Sequence, residues 1–165
     1  MIEVIKCKIN GRDQEIAIDP RESLTDMLRN KLGLTSVKKG CEVGECGACT
    51  VLIDGKSYNS CIYLASWAKG KSITTVEGLT SENGELSPVQ QAFIDQSAVQ
   101  CGFCTPGLIL TATEIVNSNK KYTRDELRTL ISGHLCRCTG YENILNAIEK
   151  FLIKKIKYTK GINKT

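Results

Sequence analysis

Eight of the nine cysteines in this 165-residue chain stand in two quartets, and no other feature limits the fold so tightly. The first, Cys41, Cys46, Cys49 and Cys61, has the spacing C-x4-C-x2-C-x11-C; the second, Cys101, Cys104, Cys136 and Cys138, joins a CxxC to a later CxC. Each half of the chain therefore has its own thiol cluster. A half of roughly 75 residues buries only about 60% of its unfolded surface and is marginal without a staple. The expected organisation is two small domains, each folded around a thiolate-bound group: residues 1–77 and 87–158, with a connector at 78–86 and a basic tail at 159–165.

Cysteine-rich small chains are often secreted disulfide frameworks. Here residues Met1 to Asn10, MIEVIKCKIN, carry Glu3, Lys6 and Lys8 and lack the apolar core of a signal peptide, so a reducing cytoplasm is the expected compartment. No run approaches the ~18 apolar residues of a membrane span, and no membrane insertion is expected.

The first quartet has the spacing of the plant-type [2Fe-2S] ferredoxins. Three thiolates on the glycine-rich loop KKGCEVGECGACTV and a fourth on the hairpin after it can surround two irons with tetrahedral sulfur. Gly40, Gly44 and Gly47 let the backbone wrap close and aim amides at the sulfurs, and their spacing does not match a dinucleotide fingerprint. The formal net charge is +4. An oxidised [2Fe-2S] cluster with its four thiolates carries about −2, so two of them bring the total to about zero. The basicity is thus no argument for nucleic acid, and Lys154, Lys155, Lys157, Lys160 and Lys164 read as a solvated tail.

Periodicity separates the halves. Ile5, Cys7 and Ile9 alternate with lysines up to an Asn10-Gly11 turn, and Glu15 to Ile18 returns, with Cys7 facing a core. Ser23 caps a short helix that stops at Gly33, Thr50–Ile53 and Lys56–Cys61 form a second hairpin about Asp54-Gly55, and Ser72–Val76 adds a strand. A small mixed sheet with one packed helix is expected. After the polar stretch GLTSENGE the pattern turns helical. Ser87-Pro88 opens a helix to about Ser97, Thr105-Pro106 one to about Val116, Thr123 with Glu126 one to about Ile131, and Tyr141 begins one to about Ile156. The second half is a four-helix bundle on this pattern, so the fold class is α+β.

In such a bundle the loop before the second helix and the loop before the fourth emerge at one end, which brings Cys101, Cys104, Cys136 and Cys138 together. Each pair also runs toward a helix N-terminus, whose positive end would favour an anionic group. Spacing alone leaves three readings for this quartet: a second [2Fe-2S] cluster, a structural zinc site, or a redox dithiol at Cys101 and Cys104. A Rieske centre needs two histidines and the chain has one, His134, which reads as a hydrogen-bonding loop residue and not as a ligand.

Three blocks, GCEVGECGACTVLIDGKSYNSC from Gly40, QCGFCTPG from Gln100 and LCRCTGYENI from Leu135, resemble the iron-sulfur subunit of the molybdenum hydroxylases. That family includes the small subunits of xanthine dehydrogenase, aldehyde oxidoreductase and carbon monoxide dehydrogenase, and the resemblance runs from residue 2 to about residue 153. It implies a β-grasp ferredoxin domain followed by a helical [2Fe-2S] domain, packed against a large molybdopterin subunit and commonly a flavin (FAD) subunit, in a hetero-oligomer. Substrate turnover is implied to occur on the partner and not on this chain. By motif position the resemblance places Gln100 and Cys138 against the pterin. Electrons would then enter at the quartet of Cys101, Cys104, Cys136 and Cys138 and leave from that of Cys41, Cys46, Cys49 and Cys61 toward flavin. The sequence departs from the pattern at His134, where the motif often has asparagine, and in the lysine-rich tail.

Overall fold

A computed structural model of the chain describes the backbone of residues 2–162 and the side chains of residues 2–153. The alternating start becomes β1 (Glu3–Ile9), with Ile5, Cys7 and Ile9 buried. Asn10 and Gly11, both at positive φ, turn the chain into β2 (Arg12–Ile18), paired antiparallel with β1 from Glu3↔Ile18 to Ile9↔Arg12. Ser23 accepts a hydrogen bond from the Asp26 amide and opens α1 (Leu24–Asp26). Instead of continuing as the expected α-helix, the chain widens into a π turn over Met27–Lys31. The widening coincides with Arg29 reaching the carbonyls of Thr35 and Val37, at 3.0 and 2.7 Å, on the segment that leads into the first cysteine loop.

The second hairpin is β3 (Thr50–Ile53) and β4 (Lys56–Asn59). β4 is shorter than expected, because Ser60–Ile62 turns into a 3-10 helix: Ser60 Oγ donates 2.6 Å to the Cys49 carbonyl and lies 2.7 Å from Thr25 Oγ1. Strand β5 (Ser72–Thr74) also ends early. The Thr75 amide goes to the Asn10 side chain at 2.8 Å, and Val76–Leu79 coils into a 3-10 turn whose Val76 and Leu79 rest on the core of the second half. The sheet order is β2-β1-β5-β3-β4, with β5 parallel to β1 and antiparallel to β3. One face covers Leu24, Met27 and Leu28 of the helical segment.

Four helices make the second half: α2 (Pro88–Asp95), α3 (Thr105–Asn117), α4 (Arg124–Leu130) and α5 (Glu142–Ile162). Ser87 with Gln90 and Thr123 with Glu126 form the capping boxes of α2 and α4. The backbone of α5 continues past the expected end at Ile156; the lysines of the tail lie outside the described side chains. Phe93, Leu108, Leu127, Ile144 and Ile148 are fully buried together. Truncating a side chain like Phe93 to alanine costs ~3–5 kcal/mol in such a core. The halves meet where α3 lies against β3 and β4, and there the Ser57 amide donates 2.7 Å to Glu114, which also pairs with Lys56 at 3.5 Å.

Candidate metal centres

The loop after Val37 carries Cys41, Cys46 and Cys49, and the 3-10 turn after β4 carries Cys61, so the fourth thiol sits on that turn and not on the expected strand. Three backbone amides converge on Cys41 Sγ: Val43 at 3.5 Å, Glu45 at 3.3 Å and Cys46 at 3.4 Å. Together they pull its thiol down to about 6. Cys61 is pushed the other way, up to about 11, first by burial and then by the neighbouring Cys49 and Cys41 thiols. Sulfurs this close cannot all be thiolates unless a cationic group lies among them. An all-sulfur donor set with amides aimed at it suits an iron-sulfur cluster.

Cys101 and Cys104 lie between α2 and α3, and Cys136 and Cys138 between α4 and α5. Cys104 is buried at the N-cap of α3, as expected for a sulfur facing a helix N-terminus. The second pair does not run straight into its helix: Thr139, Gly140 and Tyr141 intervene, with the last two at positive φ, and α5 begins at Glu142. The quartet does converge. Burial and the adjacent Cys136 raise the Cys104 thiol to about 12, and hydrogen bonding with the free Cys101 thiol raises that of Cys138. For Cys136 burial works upward, but the hydroxyl and amide of Thr139 and the Cys138 backbone outweigh it and bring the thiol to about 7.

Gln100 is exposed beside Cys101, and Cys101 and Cys138 are exposed with it. Phe103 and Leu135, 46% and 61% exposed, add apolar surface from the same two cysteine loops. His134 binds no other candidate ligand. It is 5% exposed, with Nε2 2.8 Å from Thr111 Oγ1, while Nδ1 faces the Gly47 backbone without a hydrogen bond of ordinary geometry. Burial lowers its pKa to about 4. One residue further on, the Leu135 amide donates 3.0 Å to the Cys46 carbonyl and joins the two cysteine loops directly.

Sequence reasoning missed Tyr141. Its hydroxyl accepts from the Cys136 amide at 2.9 Å and donates to the His134 carbonyl at 3.1 Å, closing the CxC loop. The one available signal was a tyrosine directly after Thr139-Gly140, with its polar tip three residues from a cysteine.

Comparisons with known proteins match both halves. Residues 7–76 fit the family model of a 2Fe-2S iron-sulfur cluster binding domain, and residues 75–149 that of a [2Fe-2S] binding domain. The chain is 51% identical over 146 residues to the xanthine dehydrogenase iron-sulfur-binding subunit of Escherichia coli O157:H7, covering 87% of this chain and 91% of that one. It is 49% identical over 144 residues to the nicotine 6-hydroxylase small subunit of Paenarthrobacter nicotinovorans, covering 87% and 86%. Among solved structures, quinoline 2-oxidoreductase from Pseudomonas putida 86 superposes with a TM-score of 0.89 at 45% identity, covering 95% of this chain and 97% of the matched one.

Proposed function

Because the chain belongs to the iron-sulfur subunit family of the molybdenum hydroxylases and is an electron-transfer subunit carrying two [2Fe-2S] clusters, we propose which residues hold each cluster and which way electrons run. Cys41, Cys46, Cys49 and Cys61 hold the first cluster; Cys101, Cys104, Cys136 and Cys138 hold the second. The layout is a β-grasp ferredoxin domain at 1–77 and a helical domain at 87–158. Each cluster supplies the storage and release of a single electron, and the residues of this chain supply position and insulation.

The end with Cys138 is the entry. Cys101, Cys138 and Gln100 are exposed there beside Phe103 and Leu135, an apolar rim around a redox centre that a partner would cover. The partner is a large molybdopterin subunit, with Gln100 and Cys138 against the pterin, and a flavin subunit takes electrons from the first cluster. Substrate is chosen on the large subunit. The assembly works in the cytoplasm; no helix among the described residues is long and apolar enough to cross a membrane.

The single observation that carries the relay is the Leu135 to Cys46 hydrogen bond, the one non-covalent step in a backbone path that runs from the first ligand loop to the second. Expression with the genomic neighbours, affinity capture of this chain, and assay of molybdenum, flavin and iron tests the reading. Four irons per chain with molybdenum and flavin are expected, from two clusters of two irons. A stable monomer that carries four irons and captures neither partner would sink it.

A further inference from the structure

Two segments close on the His134 ring, and each of them, like the segment that carries His134, belongs to a ligand-bearing stretch. Gly47 lies between Cys46 and Cys49, Gly107 lies in the first turn of α3 after Cys104, and His134 itself precedes Cys136. The packing leaves no room for side chains. A Cβ at Gly47 would stand 2.4 Å from the Gly133 carbonyl and 2.5 Å from His134 Nδ1, and one at Gly107 would stand 2.4 Å from the Gly47 carbonyl and 3.3 Å from the ring. Two chain segments have thus come to backbone contact, with the imidazole wedged against both.

Its one side-chain bond leads into both halves. His134 Nε2 is held by Thr111 of α3, the helix that starts at Cys104, and Thr111 Oγ1 lies 3.4 Å from Ser57 Oγ on β4, the strand that leads to Cys61. Its backbone is fixed as well. The His134 amide donates 3.0 Å to the Ile131 carbonyl, its own carbonyl takes the Tyr141 hydroxyl, and the next amide is the one bonded to Cys46. The buried Nδ1 rests against the Gly47 backbone without a hydrogen bond of ordinary geometry, so hydrogen bonding at that atom does not account for an imidazole at this seam.

We propose that His134 is a positioning residue that fixes the distance and orientation of the two cluster loops, so that electron transfer between the clusters depends on it although it binds neither. The proposal rests on the cysteine assignment above. It concerns the seam between the loops, not either cluster by itself.

The test uses the complete chain in its complex, with both clusters loaded. Three readouts are taken on reduced protein: each cluster's own EPR signal, the splitting of those signals by spin coupling between the clusters, and hydrogen exchange of the segment containing Leu135. Wild type with two distinct signals secures the cysteine assignment; a single signal, or an iron content below two clusters, fails that assignment and the positioning role with it. His134→Ala is expected to keep both signals while changing the splitting and losing protection at Leu135. His134→Gln, whose amide can reach Thr111, is expected to restore both. Thr111→Val, which keeps side-chain shape but removes the bond to Nε2, is expected to move both readouts in the direction of His134→Ala. Wild-type splitting and wild-type protection in His134→Ala would overturn the proposal. If that variant does not fold, the same two unchanged values in Thr111→Val would overturn it.

Discussion

Leu135 and Cys46, far apart in sequence, are joined by a 3.0 Å hydrogen bond from the amide of one to the carbonyl of the other. Cys46 belongs to the first quartet, and Leu135 stands next to Cys136 of the second. The two cysteine loops are therefore in direct contact, although each half has its own apolar core.

Cys104→Ala is expected to remove the second cluster and leave the first. Cys104 is the most deeply buried thiol of its quartet, at 7% exposure, and water cannot readily replace it as a ligand. Iron should fall from four to two per chain while the ferredoxin-type EPR signal persists. Loss of both signals together would contradict two separately held clusters.

Tyr141→Phe removes one hydroxyl that serves two backbone groups. The Cys136 amide loses its acceptor and the His134 carbonyl its donor, at a cost of about 1 kcal/mol for these partly buried groups. The second cluster's EPR line shape and midpoint potential should shift in redox titration, with those of the first unchanged. An equal shift in both would refute the local role.

Gly47→Ala should be far worse than Gly55→Ala. Both glycines have positive φ, +68° and +80°, so each alanine pays about 1–2 kcal/mol for a left-handed conformation. Gly55 has open space around it, whereas at Gly47 the new Cβ would meet the Gly133 carbonyl and His134. Thermal melts should show a shift of roughly 2–4 °C per kcal/mol for a chain of this size, and a markedly larger one for Gly47→Ala. Equal shifts would show that the seam yields.

Glu114→Gln tests the junction of the halves. Burial works to raise the Glu114 pKa, but the Ser57 amide and hydroxyl and the Lys56 ammonium outweigh it, and the net shift is downward from 4.5. The folded state thus binds fewer protons than the unfolded state at this site. The stabilisation is complete above about pH 4.5 and fades as pH falls through the folded value. Denaturant melts at pH 7 should show a loss of ~1 kcal/mol in the variant, allowing for partial exposure, and the gap to wild type should narrow toward pH 4. A gap that stays constant would mean that the carboxylate charge contributes nothing.

Much of this was legible because its causes are local. The Asn10-Gly11 and Asp54-Gly55 turns, the Ser23 and Ser87 caps and the Thr123 capping box depend on residues within four positions of one another, and all appear as read. Cysteine spacing announced two thiol clusters because ligand number and reach are properties of the sequence itself. What stayed hidden depends on distant partners. Ser72–Val76 read as a strand, but its end at Thr74 and its place between β1 and β3 are set by packing across the whole half. The early end of β4 follows from Ser60 meeting Thr25, and the π turn accompanies Arg29 reaching across to Val37. His134 read correctly as a hydrogen-bonding residue, yet its position against Gly47 and Gly107 joins three segments that no short window contains.

The sheet order adds a constraint on biogenesis. Its central strand, β5, is the last of the five in sequence, and it follows every cysteine of the first quartet. A chain emerging from the ribosome exposes Cys41, Cys46, Cys49 and Cys61 before Ser72–Thr74 exists to slot between β1 and β3. Until that strand arrives the two hairpins are unjoined and the thiols flank only the second of them, open to whatever machinery delivers iron and sulfide. Its arrival sets the earliest moment at which this half can shut around its cargo.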